Sequence, residues 1–149
     1  MEVRPGRLED GVEAFLREHN ADRVARLGVL EDALAHPHLV ALDPGLAGVL
    51  TYVLRADDCE VLTLHAARSR HGAGTALLEA VRAIAGDRRL WLMTTNDNVD
   101  ALRFYQRRGF RLAKLHANAV DYSRTHLKPE IPLIGNYGIP LRDELELEG

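Results

Sequence analysis

The chain is poor in cysteine and in aromatic residues: one of its 149 residues is a cysteine, Cys59, and Phe, Trp and Tyr make up 5%. A single cysteine excludes an internal disulfide framework and is typical of a reducing compartment. The chain also lacks an apolar run near the ~20 residues that a membrane span needs, and it opens without the apolar segment of a signal peptide. These absences predict a cytoplasmic protein with no membrane partner.

The chain has no excess of basic residues. Lys and Arg number 19 against 22 Asp and Glu, and the net charge of −3 comes entirely from residues 142–149. Because a nucleic-acid-binding surface needs a basic patch, we expect no nucleic-acid partner. The seven histidines lack the spacing of metal ligands, so we expect no metal.

The length and composition are those of one globular domain, expected over residues 1–149, with 46% apolar and 28% charged residues. The predicted strands are 3–5, 39–42, 47–54, 59–66, 90–94, 110–115 and 141–148, the last as an edge strand. The first predicted helix begins at residue 8. The other predicted helices cover 21–35, 74–85, 98–108 and 117–127. The helix over 21–35 rests on the spacing of Val24, Leu27, Leu30 and Leu34.

The first motif is a glycine-bearing turn between a strand and a helix. It reads Ser69-Arg70-His71-Gly72-Ala73-Gly74-Thr75 and follows the predicted strand 59–66. The first N–H groups of a helix have no partner inside it, and glycines remove the Cβ atoms that would hold a phosphate away. Arg70 and His71 add donors at the rim. The motif predicts a phosphorylated ligand, and it is not a P-loop because no Lys-Ser/Thr pair follows.

The second motif stands about thirty residues further on. Asn98 is followed by Ala101 and Tyr105 on the predicted helix, and then by Gly109-Phe110. Taken singly, Asn98 could be a helix N-cap, Tyr105 a half-buried helix aromatic and Gly109 a helix C-cap. Their joint occurrence after the glycine turn favours a functional interpretation.

Together the two motifs resemble those of the GNAT superfamily of N-acetyltransferases, in the form of a bacterial single-domain member. Gly72 and Gly74 match the core of the family's pyrophosphate loop. One position departs: Ser69 stands where the family has Gln or Arg, with Arg68 and Arg70 on either side. The resemblance covers roughly residues 47 to 112.

The resemblance implies an α/β (α+β) fold with a mixed, mostly antiparallel central sheet of about six to seven strands. Helices would cover both faces, and the sheet would splay between strands four and five. It also implies acetyl-CoA as co-substrate, with its pantetheine arm in the splayed gap. The residues implied to contact acetyl-CoA are Leu64, His65, Ala66, Arg70, His71, Gly72, Ala73, Gly74, Thr75, Asn98, Ala101 and Tyr105.

The resemblance further implies the catalytic groups. Tyr105 would be the general acid that protonates the departing CoA thiolate. For the general base, Glu60 ranks before His65, and a water relay to solvent is a third option. Regular strand alternation places Glu60 on one face with Leu62 and Leu64, and His65 on the other face.

The implied activity is direct transfer of the acetyl group from acetyl-CoA to a primary amine in a ternary complex. The acceptor would be a small-molecule amine or an amine of a protein, and the enzyme a monomer or a homodimer. The alternative is a non-catalytic acyl-CoA-binding or regulatory module on the same fold, and the phenol of Tyr105 favours catalysis.

The C-terminal part of the chain has two interpretations of its own. Residues 128–140 form a long predicted loop, which either covers one side of the acceptor pocket or is a surface wrap that finishes the sheet. The acidic end is either a solvated edge or a source of preference for a cationic acceptor.

Overall fold

The computed structural model describes residues 1–67 and 72–149, which form two compact units. Unit 1 is Met1–Val24 with Asp32–Leu90, and unit 2 is Ala25–Glu31 with Trp91–Gly149. The strands are β1 Glu2–Pro5, β2 Arg23–Arg26, β3 Val29–Asp32, β4 His38–Leu42, β5 Leu46–Leu54, β6 Asp58–Ala66, β7 Arg89–Thr95, β8 Arg111–His116 and β9 Glu144–Glu148. The helices are α1 Val12–Glu18, α2 Ala73–Ala85, α3 Val99–Arg107 and α4 Ala119–His126. A single domain over residues 1–149 remains a prediction.

Unit 1 contains an antiparallel sheet in the order β1-β4-β5-β6. β4 and β5 form a hairpin around residues 43–45, where the Asp43 N–H donates to the Gly45 carbonyl at 2.8 Å. This hairpin agrees with the two strands predicted on either side of the Asp-Pro-Gly turn.

Two helices cover opposite faces of this sheet. Val49 of β5 lies in a buried cluster with Leu16 of α1. Its neighbour Gly48 faces the other way, where a Cβ would lie 3.1 Å from Leu77 Cδ1 and 3.3 Å from Ala73 Cβ, both of α2. Glycine at this position therefore lets the first turn of α2 pack closely on the sheet.

Unit 2 contains an antiparallel sheet in which β9 lies between β7 and β8. The prediction of an edge strand over residues 141–148 is therefore wrong. Leu147 of β9 is fully buried and pairs with Leu92 of β7 and Leu112 of β8. Alternation of leucines and acids shows which face of a strand is apolar, but it carries no information on how many of its edges are paired.

Residues 23–32 form a hairpin of β2 and β3, so the prediction of a helix over 21–35 is also wrong. Leu27 and Gly28 have φ values of 52° and 73°, and two positive φ values in succession are typical of a type I′ hairpin turn. The apolar spacing fits a helix, but Gly28 inside it costs a helix about 1 kcal/mol and suits the turn at no cost.

Seven of the described strands, β2 and β3 excluded, and the four described helices form a mixed α/β fold with mostly antiparallel pairing, as predicted. Within residues 1–67 and 72–149, no helix is both long enough and apolar enough to cross a membrane. The same residues contain no group of three or more His, Cys, Asp or Glu that could hold a metal ion.

Candidate active site

The glycine turn of the first motif leads into α2, which begins at Ala73 after the N-cap residue Gly72. Gly72 has a φ of +85°, a left-handed conformation that glycine adopts without strain. Among the described residues no side chain caps this end of α2, and the Ala76 N–H donates to the Gly72 carbonyl at 3.0 Å. The start of α2 thus presents main-chain groups and the positive end of the helix dipole.

Among the described residues, nothing fills the space beside Gly72. A Cβ built on Gly72 would meet no described atom within 4 Å, and the residue is exposed. Ala73, in contrast, is buried and packs toward Gly48 of β5. The turn therefore anchors α2 on one side and leaves room on the other, which fits the diphosphate group of a CoA molecule.

Three residues of the first motif, Ser69, Arg70 and His71, lie outside the described residues, as does Arg68 before them. The cofactor-binding roles of Arg70 and His71 therefore stay predictions. The other predicted residues of the motif follow Gly72 in the first turn of α2 and are Ala73, Gly74 and Thr75.

The end of β6 leads toward this turn. Residues 64–66, which the sequence predicts at the pantetheine arm, pair with residues 48–50 of β5. The Ala67 N–H then donates to the Ala47 carbonyl at 2.8 Å, which holds the chain against β5 just beyond the strand. The backbone of residues 64–66 is therefore fixed by its sheet partner.

β6 carries a β-bulge at Leu62. Thr63 pairs with Thr51 of β5, whereas Val61 pairs with the next residue, Tyr52, so that Leu62 is an extra residue in β6. Such a residue reverses the alternation of side chains beyond it.

The bulge brings the two candidate bases to the same face of the sheet. Glu60 pairs with Val53 and His65 with Val49, and these two positions of β5 share one face. The prediction that Glu60 and His65 lie on opposite faces is therefore wrong, because regular alternation holds only in a strand without a bulge. Val49 and Val53 both pack with the cluster that includes α1.

Glu60 is buried and ion-paired. It is 1% exposed, and its Oε1 accepts a hydrogen bond from Arg55 Nη2 at 3.2 Å. Arg55 also donates to Asp58 Oδ2 at 2.8 Å, and its carbonyl accepts from Arg88 Nε at 2.9 Å. These contacts hold the carboxylate near the start of β6, about 20 Å along the strand from Ala66.

His65 is held in its neutral form. Burial, and to a smaller extent the neighbouring His19, lowers the pKa of His65 to about 4. The ring centroids of His65 and His19 are 5.2 Å apart, and His19 stacks on Phe15 at 4.2 Å. At neutral pH the imidazole is unprotonated and binds an added proton weakly.

The second motif opens α3 in unit 2. The Asn98 Oδ1 accepts a hydrogen bond from the Ala101 N–H at 3.2 Å, which makes Asn98 the N-cap of the helix. Asp100 lies in the first turn, where a carboxylate complements the helix dipole. The N-cap interpretation of Asn98 is confirmed, and its Nδ2 takes no part in the cap.

Tyr105 lies in the second turn of α3 and is 8% exposed. Its ring meets those of Phe104 and Phe110 edge-on, with centroids 5.3 Å and 5.5 Å away. Burial raises the pKa of the Tyr105 phenol. The phenol therefore stays protonated at and above neutral pH, which a general acid requires before the transfer.

Two residues before the cap organise unit 2 and were not predicted from the sequence. The buried Asp97 accepts the Asn136 N–H at 2.8 Å, and the Asn96 Oδ1 accepts the N–H groups of Arg142 and Asp143, each at 3.0 Å. These bonds fasten the C-terminal segment to the turn between β7 and α3. An Asn-Asp pair is common in turns, so the sequence offered no signal for partners about forty residues away.

A cavity of about 260 Å³ lies within unit 2. Met93 of β7, His116 of β8 and Glu144 of β9 line it from the sheet. Ala119 and Tyr122 of α4 line it from the helix, and the turn between β2 and β3 completes it. The C-terminal region therefore both finishes the sheet, through β9, and lines a cavity, through α4.

Comparison with known proteins identifies the family. Residues 8–110 match the Acetyltransferase (GNAT) family. The chain is 38% identical over 155 residues to the uncharacterized protein YxbD of Bacillus subtilis strain 168. The matched region covers 93% of this chain and 91% of YxbD. It is also 44% identical over 103 residues to the uncharacterized protein YdhI of the same strain. That matched region covers 67% of this chain and 64% of YdhI.

Solved structures show the same fold. An IAA acetyltransferase from Bacillus cereus ATCC 14579 superposes with a TM-score of 0.73 at 22% identity, covering 99% of this chain and 97% of that one. A GNAT family acetyltransferase from Elizabethkingia anophelis with acetyl-CoA bound gives a TM-score of 0.68 at 16% identity, covering 99% and 95%. The ribosomal-protein-S18-alanine N-acetyltransferase from Escherichia coli gives 0.66 at 17% identity, covering 99% and 91%.

The chain belongs to the GNAT family of acetyltransferases, as the two motifs predicted. The protein is an N-acetyltransferase, an enzyme of the class that moves an acetyl group from acetyl-CoA to an acceptor. The family leaves the acceptor and the roles of single residues to be inferred from the site itself.

Proposed function

We propose that this protein binds acetyl-CoA and transfers its acetyl group to a primary amine by direct attack in a ternary complex. The observation that carries the proposal is the start of α2, where Gly72 has a left-handed conformation and open space beside it. Acetyl-CoA supplies the activated acetyl thioester. All other steps depend on groups of this chain.

The main chain makes the largest contribution to binding. The N–H groups at the start of α2, from Gly72 to Thr75, face the diphosphate, with Arg70 and His71 as further donors at the rim. Backbone groups of residues 64–66 bond the pantetheine amides and polarise the thioester carbonyl. Gly48 supports this arrangement because it lets α2 pack tightly on β5.

The second motif supplies side chains. The Asn98 Oδ1 accepts a hydrogen bond from the Ala101 N–H, so the Nδ2 is the group that donates to the pantetheine arm. Ala101 is small enough for the arm to lie against α3. Tyr105 donates its phenolic proton to the CoA sulfur when the carbon–sulfur bond breaks, and burial keeps that proton in place until then.

The attacking amine loses its proton to Glu60 in this proposal. The pantetheine arm starts at α2 and lies beside residues 64–66, and Glu60 is the carboxylate further along the same face of β6. His65 ranks second because its pKa of about 4 makes it a weak proton acceptor. Transfer to water is the third route. The amine nitrogen then forms its bond to the carbonyl carbon as the sulfur leaves.

Titration calorimetry tests binding. Acetyl-CoA and CoA are expected to bind, and ATP, which lacks the pantetheine arm, is expected to bind much more weakly. Absence of heat with acetyl-CoA in the wild-type protein would remove the proposed function. A screen of primary amines, followed by release of the CoA thiol, then identifies accepted acceptors.

The pH dependence of turnover tests the base. With one accepted amine, Glu60→Gln is expected to lower kcat at neutral pH and to recover partly at alkaline pH, where more of the amine is already neutral. His65→Ala is expected to raise the Kd for acetyl-CoA more than it lowers kcat. A normal Glu60→Gln profile beside an inactive His65→Ala variant would reverse this ranking, and two normal profiles would assign the proton to water.

A further inference from the structure

The β-bulge in β6 allows two registers for the end of this strand. Regular alternation would place Leu62 opposite Thr51 of β5, whereas the structure places Thr63 there. The two registers, one with the bulge and one without, differ by one residue. Such a slip turns every side chain beyond it to the other face of the sheet. The choice of register therefore decides which groups the end of β6 presents.

Burial of leucine favours the register without the bulge. In that register Leu62 and Leu64 would both lie on the face that packs against α1, and Leu64 would lie opposite Val49 of the buried cluster. With the bulge, Leu64 lies opposite Leu50 on the other face, and one residue of β6 is left unpaired. A different interaction therefore has to favour the observed register.

A buried pair of hydroxyl groups distinguishes the two registers. The Oγ1 atoms of Thr51 and Thr63 lie 2.7 Å apart, so one hydroxyl donates to the other, and the two residues are 0% and 6% exposed. Without the bulge, Thr63 would lie opposite Leu50 on the other face, and Thr51 would lie opposite Leu62. Because a buried hydroxyl without a partner is costly, this pair favours the register with the bulge.

We propose that Thr51 and Thr63 are positioning residues that select the bulged register and thereby place residues 64–66 for acetyl-CoA. In this register these residues pair with residues 48–50 of β5. A slip of one residue would displace their peptide groups by about 3.3 Å along the strand. Hydrogen bonds to a pantetheine arm do not tolerate such a displacement. This inference rests on the proposed function and adds to it two residues that act through the backbone.

The test separates the choice of register from stability. Thr51→Val combined with Thr63→Val removes both hydroxyls, so no buried hydroxyl is left without its partner. Both registers then place an apolar side chain opposite residue 51. The matched control combines Thr51→Ser with Thr63→Ser, because it keeps both hydroxyls. Calorimetry gives the Kd for acetyl-CoA, and urea titration gives the free energy of unfolding of each variant.

The ring contact between His19 and His65 reports the register directly. The two ring centroids are 5.2 Å apart. A slip would carry His65 to a position opposite Gly48, which faces α2 instead of α1. A nuclear Overhauser signal between the two imidazole rings is therefore expected in the wild type. Because this signal needs no ligand, it tests the register independently of acetyl-CoA binding.

The double valine variant is expected to raise the Kd for acetyl-CoA at least about fivefold, because only the molecules in the bulged register bind. Its signal between His19 and His65 is expected to weaken, and saturating acetyl-CoA to restore it. The double serine variant is expected to keep the signal and a Kd within about twofold of wild type. A double valine variant with the wild-type Kd and ring contact overturns the inference, and so does a raised Kd with the ring contact intact.

A second variant covers the case in which the double valine variant does not fold. Leu62→Thr leaves Thr51 and Thr63 unchanged and gives the competing register a hydroxyl opposite Thr51. It is expected to raise the Kd at least about threefold and to weaken the ring contact. An unchanged Kd and ring contact in Leu62→Thr would overturn the inference. A wild type that does not bind acetyl-CoA refutes the proposed function, whereas the ring contact still decides whether the two hydroxyls select the register.

Discussion

In unit 1, β6 leads into α2 through Gly72, and in unit 2, β7 leads into α3 through Asn98. The start of α3 is closed by its own side chain, because Asn98 accepts the Ala101 N–H at 3.2 Å. The start of α2 has no side-chain cap among the described residues, and Gly72 leaves open space beside the turn. The same strand–turn–helix plan therefore gives one helix start suited to a ligand and another that is satisfied internally.

The two connections suit different roles in the proposed mechanism. The β6–α2 connection offers backbone, which suits a diphosphate and a pantetheine arm that must be held whatever the acceptor. The β7–α3 connection is fastened by Asn96 and Asp97, and Tyr105 lies buried in the second turn of the helix that follows. In the proposed mechanism, acetyl-CoA binding uses main-chain groups of unit 1, Glu60 of unit 1 accepts the amine proton, and Tyr105 of unit 2 protonates the thiolate.

The largest expected effect is the loss of kcat on substitution of Tyr105 in α3. Tyr105→Phe removes the phenolic proton and keeps the ring packing with Phe104 and Phe110, so kcat is expected to fall roughly a hundred- to ten-thousand-fold. The Kd for acetyl-CoA is expected to change less than about threefold, because the hydroxyl acts mainly as the thiolate leaves. Steady-state CoA release and calorimetry measure the two quantities. An unchanged kcat would remove Tyr105 from the mechanism.

The next largest expected effect is the loss of acetyl-CoA affinity on substitution of Gly72, the N-cap of α2. Gly72→Asp places a carboxylate where the diphosphate is proposed to bind, and the affinity for acetyl-CoA is expected to fall at least about a hundredfold. Gly11 is a matched control, because it is the N-cap of α1 with a φ of +79° and equally open space. Gly11→Asp carries the same backbone strain and is expected to leave the Kd unchanged. Equal losses in the two variants would indicate strain instead of a binding site.

A stability measurement tests the lowered pKa of His65 in β6, the strand that precedes α2. The folded pKa of His65 is about 4, below its ordinary value of 6.5, so the unfolded chain binds more protons between these values. The free energy of unfolding is expected to fall by up to about 3 kcal/mol as the pH drops from 6.5 to 4. His65→Gln should lose most of this dependence in urea titrations, while the exposed His126→Gln should retain it. The same pH slope in both variants would contradict the assignment.

The smallest effect concerns the capped helix. Asn98→Ala removes the N-cap of α3 and is expected to lower the free energy of unfolding by about 1 kcal/mol. If the Nδ2 of Asn98 also holds the pantetheine arm, the Kd for acetyl-CoA rises by about fivefold. Gln106→Ala, an exposed change on the same helix, serves as the control for both measurements. A destabilised variant with unchanged affinity would assign Asn98 to capping alone.

The sequence by itself determined the family, most of the element order and the two motifs. These features are local, since a glycine turn before a helix or an Asn that caps one is written within a few neighbouring residues. The two predictions that failed on secondary structure were also local patterns, but each was compatible with two outcomes. The spacing across residues 21–35 fits a helix, but Gly28 lies in a hairpin turn. The alternation in β9 identifies its apolar face and does not indicate that both of its edges are paired.

Only the tertiary structure decided which distant residues meet. The bulge at Leu62 appears in the register between β5 and β6, and it moves Glu60 and His65 to one face. The bonds from Asp97 to Asn136 and the burial of Glu144 likewise join segments far apart in the chain. The physical reason is that register, burial and long-range hydrogen bonds depend on both partners at once, and one segment's sequence specifies only its own half.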